Sequence, residues 1–309
     1  MLTWASIIQI VVVALILGGL FLLRSRSRGE AWIRVAAGWT VVLGLFVAGV
    51  WYYPPGFARW GIAVAMVFVS IVHLRKRRSA TSSARAVSFA VPTLCSFAVG
   101  SVLLWQGVRG HSQPGGPVID LASPMALSSN ICVLSGGSSF ALNQHFLTSA
   151  VPGGAFEKHS VDLVKHDRFG NRTRAFSPVP QPENVKTYLA YGEPVTAPCN
   201  GYVTAMANDR PDHPAGARFR DRSGSNYVML RCEGADVVLA HLAQGSVSVR
   251  KGEEIAAGAP IGRIGHSGNT EEPHLHINAQ TIVPEGEEAD PEPVIMTFQG
   301  RYLARGDCL

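Results

Sequence analysis

The sequence predicts a membrane-anchored protein in which four transmembrane α-helices precede a mainly antiparallel β domain. Long apolar runs are confined to the first 107 of the 309 residues. From about Ile131 onward the runs are short, often β-branched, and separated by Gly, Pro, Asn and Asp. We therefore expect a transmembrane region at residues 1–107, a linker at 108–130 and an outer domain at 131–309.

The first region contains four apolar runs: Ser6–Leu23, Ile33–Tyr53, Gly61–Leu74 and Val87–Trp105. A helix needs about 20 residues to cross a hydrocarbon layer of about 30 Å. The third run is short unless Ala58 and Trp60 are counted. No charged residue precedes the first run and no small-residue cleavage site follows it, so we expect a retained helix and not a signal peptide.

The positive charges of the loops orient these helices. One basic loop carries Arg24, Arg26, Arg28 and Arg34, and the other carries Arg75, Lys76, Arg77, Arg78 and Arg85. The loop between them has only Arg59. Because Lys and Arg accumulate on the cytoplasmic side, we expect a multi-pass protein of the cell membrane whose C-terminal domain is extracytoplasmic.

The net charge of +5 does not indicate a nucleic-acid partner. Residues 1–109 contain 11 Lys and Arg and one acid, whereas residues 110–309 contain 16 Lys and Arg and 21 acids. The basic residues thus reflect membrane topology, and the outer domain is mildly acidic. Nucleic-acid binding is not expected, and the lack of mid-span charges in the helices argues against a transporter.

Four of the five cysteines, Cys132, Cys199, Cys232 and Cys308, lie in the outer domain. An even number in an oxidising compartment predicts two disulfides with three possible connectivities, with four free thiols as the alternative. No CxxC pair is present, which argues against a thiolate zinc site.

The strands predicted for the outer domain are Ser160–Val164, Gly201–Ala205, Tyr227–Arg231, Val237–His241 and His274–Ala279. Residues 176–184 and 208–226 are predicted to be loops long enough to line a groove. His274 and His276 would share one face of the last strand, because strand side chains alternate. A buried histidine pair is costly without a partner, and a divalent metal is a suitable one.

The tract that contains these histidines, "YVMLRCEGADVVLAHLAQGSVSVRKGEEIAAGAPIGRIGHSGNTEEPHLHINAQ", resembles the core of the M23, lysostaphin-type zinc metallopeptidases. "YGEPVTAPCNGYV", at 191–203, is similar to a hairpin of that family. The resemblance covers residues 156–279 and implies a metallopeptidase-like β domain. It implies that Asp162 and His276 bind Zn²⁺ and that His241 and His274 are catalytic.

The family motif HxxxD, which would supply the third metal ligand, is altered in this sequence. The position four before Asp162 is Lys158, and His159 is only three before it. On a regular strand His159 would face away from Asp162 unless a β-bulge intervened. His145 could instead supply the ligand from an adjacent segment, and we favour it; His159, or neither histidine, is the alternative.

No functional role is expected for several other serine, histidine and glutamate residues of the outer domain. "GHSGN" lacks the last glycine and the following helix of a nucleophile elbow, so Ser267 is predicted to be a turn residue. His166 and His213 are expected at the surface. A solvated acidic face is expected for Glu271, Glu272, Glu285, Glu287 and Glu288.

The function that the resemblance implies is a zinc-dependent endopeptidase acting on peptidoglycan peptides outside the cytoplasm. The alternative is a degenerate, non-catalytic domain that binds cell-wall peptide or a partner protein. The altered HxxxD motif favours the alternative, whereas the presence of His241, His274 and His276 favours the enzyme.

Overall fold

The computed structural model describes residues 2–51, 56–76, 84–125, 130–174, 181–216, 224–284 and 286–309. The chain forms two compact units, Met1–Arg109 and Gly110–Leu309. Several predicted features lie outside the described residues: Arg77, Arg78, Glu285 and the loop segments 175–180 and 217–223.

The first unit contains the helices α1 (Leu2–Leu22), α2 (Arg28–Ala48), α3 (Ala58–Arg75) and α4 (Ala84–Gly110). Each is long and apolar enough to cross a membrane. The helix α3 includes Ala58 and Trp60, the two residues on which the length of the third run depends. The helix α2 begins where Ser27 Oγ accepts a hydrogen bond from the backbone N–H of Glu30 at 3.1 Å.

Small residues and one buried amide hold these helices together. A Cβ atom on Gly100 of α4 would lie 2.4 Å from the carbonyl carbon of Thr40 in α2, so the two backbones are in direct contact. The side-chain amide of Gln9 in α1 bonds to both backbone groups of Val50, at 2.6 and 2.9 Å. The polar groups at the end of α2 are thereby satisfied.

The second unit is mainly β. Its strands are β1 (Val118–Leu121), β2 (Ile131–Ser135), β3 (Val161–Lys165), β4 (Pro194–Thr196), β5 (Gly201–Ala207), β6 (Asn226–Cys232), β7 (Ala235–Leu242), β8 (Glu254–Ile255), β9 (Pro260–Arg263), β10 (Leu275–Gln280) and β11 (Pro293–Phe298). Three short helical segments accompany them: α5 (His145–Thr148) and the 3₁₀ helices Ala155–His159 and Val185–Thr187.

Strand β10 lies at the centre of a nine-stranded sheet. It pairs with β7 on one side, and with β3 and then β11 on the other. The sheet order is β1-β11-β10-β7-β6-β5-β8, with β2 paired to β3, while β4 and β9 form a separate pair. All of these pairings are antiparallel except β1 with β11.

The core follows from the alternation of side chains along the strands. In β6, Val228 and Leu230 are fully buried, as are Leu239 of β7 and Ile277 of β10. Two disulfides, Cys132–Cys308 and Cys199–Cys232, connect segments of this unit. These two pairs are one of the three connectivities that the sequence allows.

The five predicted strands all occur, with ends that differ by at most two residues. The segment 108–130 is not a plain linker, however, because it contains β1, which pairs with β11, and Met125, which bridges to Val195 of β4. Strand β1 has four residues, and only its second and fourth are buried. An apolar pattern this short cannot be identified from sequence.

Candidate active site

The register of β10 places its histidines at the centre of the sheet. His276 lies opposite Asp162 of β3 on one side and Ala240 of β7 on the other. His274 immediately precedes β10, two residues from His276, so both rings lie on the same side of the strand. His241, next to Ala240 in β7, completes the group: its ring centroid is 4.8 Å from that of His274 and 5.7 Å from that of His276.

Three imidazole rings, those of His145, His274 and His276, converge on the carboxylate of Asp162. Its Oδ1 atom lies 3.0 Å from His276 Nδ1. The same oxygen lies 3.3 Å from Nε2 of both His145 and His274. Asp162 is only 1% exposed, so its negative charge must be stabilised by the neighbouring side chains and not by water.

His145 reaches the site from the single turn α5, and Asn143 orients it. Asn143 Oδ1 accepts hydrogen bonds from the backbone N–H of His145 at 3.0 Å and from its Nδ1 at 2.8 Å. The amide nitrogen of Asn143 donates to the carbonyl groups of Gly137, Lys158 and Ser160, which determines which way the amide points. Nδ1 therefore donates to Asn143, and Nε2 faces Asp162.

His241 and His274 are oriented in the same way by backbone carbonyls. His241 Nδ1 donates to Ser267 at 2.8 Å, and His274 Nδ1 donates to Glu272 at 2.7 Å. Ser267 is itself fixed, since its Oγ donates to the carbonyl of Leu242 at 2.7 Å and accepts from the N–H of Asn226 at 3.0 Å. The remaining nitrogen of each ring, Nε2, is then left for the site, and that of His274 lies 3.3 Å from Asp162 Oδ1.

His241 has an unusual backbone conformation, with φ at +63°. A non-glycine residue in the left-handed region costs about 1–2 kcal/mol. The surrounding hydrogen bonds hold it there, because the carbonyl of His241 accepts from Gly265 N–H at 2.9 Å while its ring donates to Ser267. Strain retained at one residue of a histidine cluster is typical of functional sites.

This donor set fits a divalent metal. Two sets of three residues place their ligand atoms within 4.8 Å of one another: His145, Asp162 and His276, and His241, His274 and His276. One carboxylate oxygen and neutral imidazole nitrogens, each with its second nitrogen hydrogen-bonded to an acceptor, are the ligands that Zn²⁺ takes in catalytic sites.

The pKa values show how strongly these groups interact. Burial would raise the pKa of Asp162, but the charges of His145 and His274 hold it well below its usual value. Burial lowers the pKa of His276, yet Glu157 and Asp162 together raise it to about 10. By contrast, burial and the neighbouring His274 and His276 hold the pKa of His241 well below its usual value, so this ring is neutral at pH 7.

Of the two histidines considered for the third ligand, the structure brings His145 to Asp162 and keeps His159 away. Residues 155–159 form a 3₁₀ helix, so the alternation of a strand does not apply to them. His159 packs against the ring of Phe146, with 6.5 Å between centroids, and burial lowers its pKa to about 4. Lys158, at the family's histidine position, has its ammonium 5.9 Å from the same ring.

The expectations that His213 and Glu272 lie at the surface are wrong. His213 is 7% exposed and its Nε2 lies 2.7 Å from the carbonyl oxygen of Gly268. Glu272 is 4% exposed and forms an ion pair with Arg172 at 2.6 Å, so it does not belong to a solvated face. Ser267, predicted to be a turn residue, lies in the irregular segment after β9; it is fully buried, and its backbone carbonyl accepts the hydrogen bond from His241 Nδ1.

Two residues that the sequence did not indicate also reach the site. Asn143 orients His145, and the tract "NQH" carries the signal, since an Asn side chain often bonds to the backbone two residues on. Glu157 places Oε2 3.1 Å from His276 Nε2. No spacing rule could indicate Glu157, because the 3₁₀ helix that presents it has no recognisable sequence pattern.

Comparison with known proteins identifies one family. Residues 183–291 match the model of peptidase family M23. This range contains His241, His274 and His276, whereas His145 and Asp162 precede it. No curated protein sequence matches the chain.

Several solved structures are similar to part of the chain. The antimicrobial peptidase lysostaphin from Staphylococcus simulans is 16% identical with a TM-score of 0.28, over 46% of this chain and 43% of that one. The catalytic domain of a variant of the prophage-encoded M23 protein EnpA from Enterococcus faecalis is 14% identical with a TM-score of 0.31, over 54% of this chain and 92% of that one. A chain of the SpoIIQ–SpoIIIAH pore forming complex is 16% identical with a TM-score of 0.31, over 52% of this chain and 84% of that one.

The chain thus spans less than half the length of lysostaphin. The match to the family model covers β7, β10 and three of the four histidines of the site, His241, His274 and His276. The second unit of this chain contains a domain of peptidase family M23.

Proposed function

We propose that the second unit is a zinc-dependent endopeptidase that cleaves peptidoglycan peptides outside the cytoplasm. The observation that carries this proposal is the convergence of the imidazoles of His145, His274 and His276 on Asp162 Oδ1, with His241 packed against two of them. Each of the four rings is hydrogen-bonded through its other nitrogen to a separate acceptor. A domain that only binds peptide has no need for this arrangement.

The proposed ligands are His145 through Nε2, Asp162 through Oδ1 and His276 through Nδ1. These three atoms lie next to one another and come from α5, β3 and β10. When bound, zinc supplies a Lewis acid that polarises the scissile carbonyl and acidifies the attacking water.

The proposed catalytic residues are His241 and His274. His241 Nε2 is neutral at pH 7 and is held in place by the Nδ1 bond to Ser267, so it can accept a proton from the attacking water. His274 differs, because Asp162 outweighs the effect of burial and raises its pKa. Its Nε2 can therefore donate a proton to the developing oxyanion or to the leaving amine.

The experiment that tests this function uses the full-length chain in detergent. Zinc is measured by elemental analysis, and cleavage of purified peptidoglycan is followed by the appearance of new amino termini. We expect about one zinc per chain and release of amino groups without new reducing ends, because a peptide bond and not a glycosidic bond is cut.

Single replacements separate the two roles. His276→Ala should lose both zinc and activity, whereas His241→Ala should keep zinc and lose activity by about 10²–10⁴-fold. His159→Ala is the matched control and should retain both. Bound zinc with no cleavage in the unmodified protein would favour the non-catalytic alternative, and undiminished cleavage in His241→Ala would contradict the assigned role.

A further inference from the structure

We propose that Glu157 is a positioning residue of the metal centre: it accepts the Nε2 proton of His276 and thereby directs Nδ1 of that ring toward the metal. The proposal rests on the proposed function, since it concerns the same site. The altered HxxxD motif gives no indication of this role, because Glu157 lies five residues before Asp162.

The ring of His276 is held from opposite edges by two carboxylates. Its Nε2 lies 3.1 Å from Glu157 Oε2, and its Nδ1 lies 3.0 Å from Asp162 Oδ1. A neutral imidazole carries a proton on only one nitrogen. The carboxylate that takes this proton therefore decides which nitrogen offers its lone pair to a metal.

The surroundings of the two carboxylates distinguish their roles. Asp162 Oδ1 is shared among three imidazoles, and its side chain is 1% exposed. The side chain of Glu157 is 19% exposed, and the described contacts of its carboxylate are with His276 and Ser160. The metal position therefore lies on the Asp162 side of the ring, and Glu157 lies behind it.

The local fold explains why Glu157 faces this ring. In the 3₁₀ helix Ala155–His159, residues three apart lie above one another. The hydroxyl of the buried Ser160 donates to Glu157 Oε2 at 2.8 Å, and the backbone N–H of Ser160 donates to the Glu157 carbonyl at 3.0 Å. Ser160 thus fixes the carboxylate before any metal binds.

Glu157 also differs in charge from the acceptors of the other three rings. His145 donates to an amide oxygen, and His241 and His274 donate to backbone carbonyls. Among these four outer contacts, only that of His276 is made to a carboxylate. A charged acceptor makes the stronger hydrogen bond and raises the basicity of the opposite nitrogen, so its loss should weaken metal binding.

The test measures zinc affinity of the full-length chain in detergent by competition with a chelator, together with the zinc coordination shell by X-ray absorption. Glu157→Ala should weaken zinc binding by about 10–100-fold, which is the usual effect of removing an outer hydrogen-bond partner. Glu157→Gln should recover part of this loss, since its amide oxygen still accepts the Nε2 proton but carries no charge. Glu233→Ala, which removes an exposed acid from a turn, should bind zinc like the unmodified protein.

The coordination shell decides between a positioning residue and a direct ligand. An unchanged shell in Glu157→Ala supports the proposal, whereas loss of one oxygen ligand would overturn it. Equal affinity in all variants would overturn the role of Glu157 and leave the proposed function intact. Absence of zinc binding in the unmodified protein would overturn both.

Discussion

At the scale of single residues, His276 lies between two carboxylates, and this determines how the site responds to pH. Burial lowers the pKa of its imidazole, but Glu157 and Asp162 more than offset this and raise it to about 10. The ring therefore keeps both protons well above pH 7 in the metal-free protein. A metal that binds Nδ1 must displace one of them.

We therefore predict that zinc binding at pH 8 releases about one proton, and that the apparent affinity rises about tenfold per pH unit between pH 7 and 9. The sign follows from the raised pKa, because the competing proton is lost only as pH approaches about 10. Calorimetry in two buffers with different ionisation enthalpies measures the proton count. His159→Ala should give the same count, and binding without proton release at pH 8 would contradict the prediction.

The sequence predicted part of this site and missed the rest for a physical reason. His274 and His276 could be placed together because strand side chains alternate, and the structure confirms the predicted strand as β10. The same rule failed before Asp162, where the segment that carries Lys158 and His159 is a 3₁₀ helix. His145 could be proposed as a candidate, but its orientation by Asn143 depends on contacts between distant segments that no spacing shows.

At the scale of elements, the end of β7 is joined to the segment after β9 by a direct backbone contact at Gly265. A Cβ atom there would lie 2.3 Å from Ala243 Cα and 2.6 Å from Asp212 Oδ1. The N–H of Gly265 also donates to the His241 carbonyl at 2.9 Å. This contact sets the distance between His241 and Ser267, the residue that orients its ring.

We predict that Gly265→Ala separates these segments, lowers activity by about 100-fold and leaves zinc binding unchanged. A displacement of about 1 Å is enough for such a loss, and none of the proposed ligands lies on either segment. The unfolding free energy should fall by about 1–3 kcal/mol. Kinetics, elemental analysis and chemical denaturation measure the three effects.

The control for this replacement is Gly262→Ala in β9, where the nearest atom to the new Cβ, Leu242 Cδ1, would be 3.4 Å away. This variant should remain active. Loss of zinc in Gly265→Ala would show that the contact supports the ligands as well as His241, contrary to the prediction.

The strands differ in how well they could be predicted from the sequence. Strands β6, β7 and β10 contain six to eight residues with clear apolar patterns, and they were predicted to within two residues. Six strands were not predicted: β1, β2, β4, β8, β9 and β11. The shortest, β8 and β4, contain two and three residues, and a pattern of period two needs several repeats to be distinguished from a loop. The pairing of β1 and β8 depends on distant partners, such as β11 for β1.

At the scale of the whole molecule, the two units differ in composition in a way that indicates different surroundings. The first contains four helices that are long and apolar enough to cross a membrane. The second has 16 basic and 21 acidic residues and two disulfides, which are typical of an oxidising compartment. The proposed substrate, peptidoglycan, is found only outside the cytoplasm. The proposed function therefore requires an orientation of the helices that places the second unit on that side of the membrane.

We predict that alkaline phosphatase, which is active only outside the cytoplasm, is active when fused after Trp51 or Leu309 and inactive when fused after Ser27 or Lys76. The reason is the charge of the loops: the loops near Ser27 and Lys76 carry the clustered Lys and Arg, whereas the loop after Trp51 has only Arg59. The Trp51 and Ser27 fusions differ by a single helix, α2, and act as matched controls. Activity after Ser27 and Lys76, and none after Trp51 and Leu309, would place the disulfides in a reducing compartment and the histidine cluster away from peptidoglycan. That result would contradict the proposed substrate even if the domain binds zinc.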